Sequence, residues 1–116
     1  MHQLSKSSLF PIVIVVPFLK VNGMAVFPFI LVKHQDSKND PQLIRHETIH
    51  LMQELELLIV PFYILYLINY LVNLIKYRDH EKAYLDIIFE CEAYAHEADI
   101  DYLKQRKFWG WLKFVK

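Results

Sequence analysis

The chain has 116 residues, which is room for one domain but not for a large proteolytic domain with a deep cleft. Lys plus Arg and Asp plus Glu stand at 13 each, so there is no electrostatic footprint for nucleic acid, and none is expected as a partner. Hydrophobic residues make up 54% and aromatics 15%, with only two Gly, which points to mostly regular structure and to a membrane as partner.

The single cysteine, Cys91, excludes an internal disulfide and a cysteine-built zinc site. It fits a reducing compartment, so the cytoplasmic side of a membrane is expected rather than secretion. Near the start, Lys6 is followed by an apolar run from Leu9 to Leu19. Pro11 and Pro17 interrupt that run, Lys20 ends it and no small-x-small site follows, so a cleaved signal is not expected.

Residues 9–33 read as a β-hairpin. Strands are predicted near 12–20 and 24–33, turning at Asn22-Gly23, a pair that favours tight hairpin turns. Neither run alternates polar with apolar, so both faces should be covered by protein or lipid. Two membrane-inserted helical segments are the alternative. Each run is too short to span, and Lys20 lies between them.

Lys33 to Asn39 is a polar connector, and Asp40-Pro41 then marks a helix start. Asp caps free amide groups and Pro fits the first helical position. That helix carries His46-Glu47-Thr48-Ile49-His50 and is predicted to run from 40 to 76, through the box and into a hydrophobic segment. On a helix, residues four apart share a face, so His46 and His50 can grip one metal ion. Glu47 can reach a water on that ion. This is the ligand pair and general base of a zinc hydrolase. A five-residue match can also arise by chance, the more so with six His in the chain.

Leu57 to Ile75 is the most hydrophobic part, close to the roughly 20 residues a bilayer span needs. Asn69 and Asn73 count against lipid on all sides, and Pro61 should kink or split the helix. Lys33, Lys38 and Arg45 precede the segment while Lys76, Arg78 and Lys82 follow it, so basic flanks give no orientation. A span, a helix lying in the interface and a buried helix all remain open, with membrane association favoured.

Asp79 caps a second long helix predicted over 80–106. Tyr84, Ile88, Cys91, Ala95, Ala98 and Tyr102 form a stripe at helical spacing and are its expected core face. Residues 107–116 mix Lys with Trp and Phe, the composition either of an interfacial anchor or of a segment docked on the core.

A catalytic zinc usually has three protein ligands. Two come from the box, and Glu90, Glu92, Glu97, His80, His96 and Asp99 are candidates for the third. The helical wheel does not choose among them.

The box followed by Phe89-Glu90-Cys91-Glu92-Ala93-Tyr94 resembles the gluzincin arrangement of CaaX-prenyl-protease type. There a His-Glu-x-x-His helix precedes a Phe-Glu-x-x-Ala-Asp-like stretch whose first Glu binds zinc. The resemblance implies Glu90 as third ligand; from the residues alone Glu92 and Glu97 stay open as alternatives. Tyr94 stands where the Asp would be, and that Asp normally helps to orient the ligands. Most of the chain also looks like a group of small bacterial His-Glu-x-x-His proteins, through Phe27-Pro28-Phe29-Ile30, Leu55-Glu56-Leu57-Leu58 and Pro61-Phe62-Tyr63. By analogy with zincins, Gly23 to Lys33 would supply an edge strand that aligns a peptide substrate.

The expectation is therefore one α+β domain, mainly α, over residues 1–116: a minimal zincin-like protein. It would be a membrane-associated zinc-dependent hydrolase of peptidase type, acting on a peptide substrate, with Zn²⁺ on His46, His50 and Glu90 and Glu47 as catalytic base. The alternatives are a domain stapled by a non-catalytic zinc and a small helical membrane-binding protein without metal. The oligomeric state is left open.

Overall fold

The computed structural model describes residues 11–115; the reading of the first ten residues against a signal lies outside that range. The fold is α+β and mainly α, with a small sheet at the N-terminal side followed by helices. The strands are β1 (Ile12–Val15), β2 (Gly23–Val26) and β3 (Phe29–Val32), in the order β1-β3-β2. β1 runs parallel to β3 and β2 antiparallel to it.

The predicted pairing of 12–20 with 24–33 is thus corrected. β1 and β2 lie on opposite sides of β3, and the hairpin turns at Phe27-Pro28 instead of Asn22-Gly23. Proline has no N–H to give a ladder, so Pro28 divides what read as one strand. Asn22 sits just before β2, at the end of the crossover from β1, and its carbonyl accepts from Lys33 N–H. One sheet face packs on the first helix, with Ala25, Ile30, Val32 and Leu51 buried together. On the other face Ile12, Ile14, Met24 and Val26 are exposed.

Helix α1 (Pro41–Glu56) starts where the cap chemistry places it: the Asp40 carboxylate accepts from Gln42 N and Leu43 N, with Pro41 at the first turn. It ends at Glu56 and does not run on to 76. Leu58 and Ile59 take positive φ (62° and 69°), and Pro61 enters the first turn of α2 (Val60–Tyr77). The proline ring cannot be fitted inside a continuous helix without losing a hydrogen bond and clashing with the preceding turn.

α2 is built inside out for a helix in water. Its inward face is aromatic and polar, and each group is paired. Tyr66 donates to Glu90, Asn73 donates to Ala83 O, and Tyr77 donates to Asp86. Asn69 Oδ1 accepts from Ile88 N–H. Outward stand Val60, Ile64, Leu67, Ile68, Leu71 and Ile75, all exposed. By length and composition alone, α2 could cross a membrane.

The predicted helix 80–106 is three pieces: α3 (His80–Leu85), α4 (Ile88–His96) and α5 (Tyr102–Gln105). Ile87 is extended, and the Asn69 side chain caps Ile88 in its place. The break shifts the helical phase. Ala83, Ile87, Phe89 and Ala93 are buried, whereas Ala95 and Ala98 of the expected stripe are exposed; only Tyr102 of that stripe is buried.

The C-terminal segment docks on the core through Trp111, which is buried against Phe62, Ile87 and Phe89. What holds it is Arg106. This guanidinium, nearly enclosed, bonds Glu92 through Nε (2.6 Å) and Glu56 through both terminal nitrogens (2.6 and 3.0 Å). Glu56 also accepts from Trp109 N and Trp111 Nε1. Replacing Arg106 by Met leaves two buried carboxylates facing each other without a cation, which should cost about 3–5 kcal/mol. Urea denaturation followed by tryptophan fluorescence would show this as a lower midpoint. A midpoint unchanged from the parent chain would mean that Arg106 does not hold the segment.

Candidate metal centre

The site forms where α1 and α4 face each other. His46 and His50 lie one turn apart on α1, and Glu90 stands in the first turn of α4. All three are buried. Glu90 Oε1 lies 3.1 Å from His46 Nε2 and 3.1 Å from His50 Nε2. One donor atom from each residue falls within 4.8 Å of the others. In a tetrahedral zinc site with bonds of about 2.0–2.2 Å, neighbouring donor atoms stand about 3.3–3.6 Å apart. The two Glu90–His separations are within a few tenths of an ångström of that spacing, so the three residues are close enough to hold a metal ion.

The outer partners assign the protons. His46 Nδ1 faces Glu97 Oε1 at 2.8 Å, and His50 Nδ1 faces Gln53 Oε1 at 2.7 Å. The Gln53 amide is fixed that way round because its nitrogen donates to Phe89 O and Glu92 Oε1. Both Nδ1 atoms thus carry the hydrogen, so that a ring in its neutral form turns its Nε2 lone pair toward Glu90. Three acceptors converge on one point, an arrangement that calls for a cation or for added protons. Tyr66 donates to the other oxygen of Glu90 at 2.5 Å and orients it.

Among the candidate third ligands, Glu90 alone joins the histidines. Glu92 is turned away and engaged by Arg106, Tyr102 and Gln53, which hold its carboxyl below the usual range although burial opposes the charge. Glu97 serves as the outer carboxylate of His46 and also accepts from Gln42. The orienting role expected of position 94 has moved about one turn along. Tyr94 instead packs edge-on against the His46 ring, centroids 4.5 Å apart. His80 bonds Tyr70 and His96 stacks on Tyr102. Asp99 lies outside the converging group.

Glu47 points into a cleft of about 1030 Å³ that opens over the histidines. β2 forms one wall, and Phe62, Tyr63 and Tyr66 of α2 form the other. Burial raises the Glu47 carboxyl above its usual range and Glu90 adds to the rise, while His50 and His46 oppose it. Gly23 allows a close approach here: a Cβ on it would stand 3.1 Å from Leu43 Cδ1 and 3.2 Å from Glu47 Oε2, a tight fit for both side chains.

Gln53 follows His50 at i+3 and so shares its side of α1, but that spacing gives it no role by itself. Tyr66 and Arg106 carried no signal, because their partners lie far off in sequence. Comparison of the chain with protein families, with curated proteins and with solved structures finds no match.

In the metal-free protein, burial opposes a charge on His50. The Glu90 carboxylate outweighs it and, with Glu47, pushes the ring from 6.5 up to about 9. Glu90 is held far below the carboxylate range, against its burial, chiefly by His50. Because the folded value of His50 exceeds the unfolded one, its contribution to stability is complete below about pH 6.5 and is lost as pH rises through about 9. Thermal unfolding in chelator should show Tm falling across that window. Saturating zinc should remove the fall, since binding requires the deprotonated ring. A chelated protein whose Tm is flat across the window would argue against the His50–Glu90 pair.

Proposed function

We propose that the protein is a zinc-dependent hydrolase of peptide bonds that works at a membrane surface. The observation carrying the metal reading is the convergence of His46 Nε2, His50 Nε2 and Glu90 Oε1, each with its other polar atom committed to an outer partner. The residues around them supply what peptide hydrolysis needs. Zinc held there would acidify a water and polarise a carbonyl.

Glu47 lies in the same cleft with no hydrogen bond to the described residues, and its burial favours taking up a proton. Its role is general base toward the water, then donor of that proton to the leaving nitrogen. Among the described residues β2 is at an edge of the sheet, so a peptide can be aligned beside it by strand addition.

The membrane reading rests on α2. Its outward face is aliphatic and exposed from Val60 to Ile75, while its polar groups are paired inward. Asn69 and Asn73 therefore no longer count against lipid contact. α3 packs along α2 and carries exposed Glu81 and Lys82, so the helix lies on the bilayer in this reading and does not cross it.

Purified protein should carry one zinc per chain by elemental analysis, with His46→Ala or His50→Ala abolishing it. Glu47→Gln should keep the metal and lose roughly 10²-fold or more in cleavage rate. A chain that binds zinc, cleaves no peptide and keeps its function in cells after Glu47→Gln would instead hold a zinc that only staples α1 to α4. For the membrane, Leu67→Glu combined with Leu71→Glu should abolish co-flotation with phospholipid vesicles and leave the zinc content unchanged. Parent protein that does not float with vesicles would refute lipid docking.

A further inference from the structure

The cleft has a closed end, and a buried carboxyl group stands there. In the β2–β3 ladder, Met24 pairs with Leu31 and Ala25 with Ile30, and Lys33 N–H bonds Asn22 O. Antiparallel ladders alternate bonded and non-bonded pairs. Asn22, Met24 and Val26 therefore turn their backbone groups toward β3, and Gly23 and Ala25 turn theirs to the free edge.

A peptide added antiparallel at that edge has its amino terminus toward the Val26 end. Gly23 marks the level of the reacting bond, because Glu47 Oε2 lies against it. Ala25 is two residues on, about 7 Å at strand rise. Its outward carbonyl is already taken: Tyr63 reaches over from α2 and donates to it at 2.8 Å. Just beyond, Phe27 N–H is bonded to Glu54 Oε1 at 2.9 Å. The edge is thus open for one or two residues on the amino side of the scissile bond and then shut.

Glu54 lines the cleft at this end. It is 0% exposed, and its Oε2 is buried without a hydrogen-bond partner among the described residues. Tyr63 stands beside the Glu54 carboxyl but has one hydroxyl hydrogen, and the Ala25 carbonyl at 2.8 Å competes for it. A buried carboxylate oxygen left unpaired is costly unless a donor meets it in use.

We propose that Glu54 receives the free ammonium group of the peptide's amino terminus, making the site an aminopeptidase that removes one or two residues from unblocked peptides. The carboxylate selects a charged nitrogen, and the Tyr63–Ala25 bridge rejects chains that continue. This rests on the hydrolase reading above and adds the substrate class to it.

The test uses the full chain loaded with zinc and the peptide Ala-Ala-Phe amide with a free or an acetylated amino terminus. Binding is measured on the Glu47→Gln protein, which separates recognition from turnover, and cleavage on the parent. The free amine should bind roughly ten-fold or more tightly than the acetylated form. Glu54→Gln, which can still accept from Phe27 N–H, should lose that preference and leave the acetylated peptide unaffected. Tyr63→Ala should open the end and raise cleavage of acetylated peptides. A preference for the free amine without any cleavage would leave the amine-binding role of Glu54 standing and sink the hydrolase reading, and with it the aminopeptidase assignment. Equal binding of the two peptides, no binding of either, or a preference that persists in Glu54→Gln would overturn the proposal itself.

Discussion

Everything in this fold leans on one buried meeting of charges: a carboxylate oxygen of Glu90 between two imidazole nitrogens. Burying these groups is unfavourable unless each is fully paired. The surrounding residues can be understood as the pairing that this demands. Glu97 and Gln53 take the outer nitrogens, and Tyr66 takes the second oxygen. Gln53 then needs its own acceptors and finds Glu92, and Glu92 needs a cation and finds Arg106. Arg106 brings in Glu56, and Glu56 fixes the backbone of Trp109 and the ring of Trp111. A polar chain thus runs from the site to the C-terminal segment and ties α1, α4 and the tail together.

That chain explains how so short a sequence assembles around a polar centre. Apolar clusters flank it: the sheet packed on Leu51, the aromatic group around Phe62 and Phe89, and Ile49 with Ala93 and Tyr102. None is large. In a domain of this size, hydrophobic burial alone stabilises only marginally. Removing one member of the polar chain exposes the cost of the others, so the network behaves as a unit more than as separate bonds.

The parts of the fold legible in the sequence are those fixed by local chemistry. Asp40-Pro41 announced α1 because capping and proline placement involve neighbours only. Pro61 announced the break between α1 and α2 for the same reason. The hairpin was misplaced because two turn signals competed. Asn22-Gly23 has the stronger local preference, but Pro28 has the stronger veto, since a proline cannot sit within a ladder that needs its N–H. The stripe on the second helix was misread because Ile87 and Ile88 are both apolar, so the sequence does not show where the phase slips. Asn69, from another helix, decides it. In the site, the spacing of His46 and His50 was local and legible. Glu90 needed the resemblance to be singled out, and Glu97 was seen only as a possible ligand. Arg106 bonds residues that lie 14 and 50 positions away, beyond any periodicity a sequence displays.

α2 joins the two halves of the functional reading. Its inner aromatic residues Phe62, Tyr63 and Tyr66 are a wall of the cleft, and its outer aliphatic residues are the face assigned to lipid. A helix with side chains is only about 10–12 Å across. If the outer face rests on acyl chains, the cleft lies within roughly that distance of the bilayer. The hydroxyl of Tyr63 bridges this same helix to the edge strand at Ala25. Any shift of α2 on contact with lipid would therefore act directly on the width of the cleft at its closed end. The inverted polarity of the helix and the closure of the cleft are then consequences of one arrangement: paired polar groups turned to the protein, with aliphatic ones turned outward.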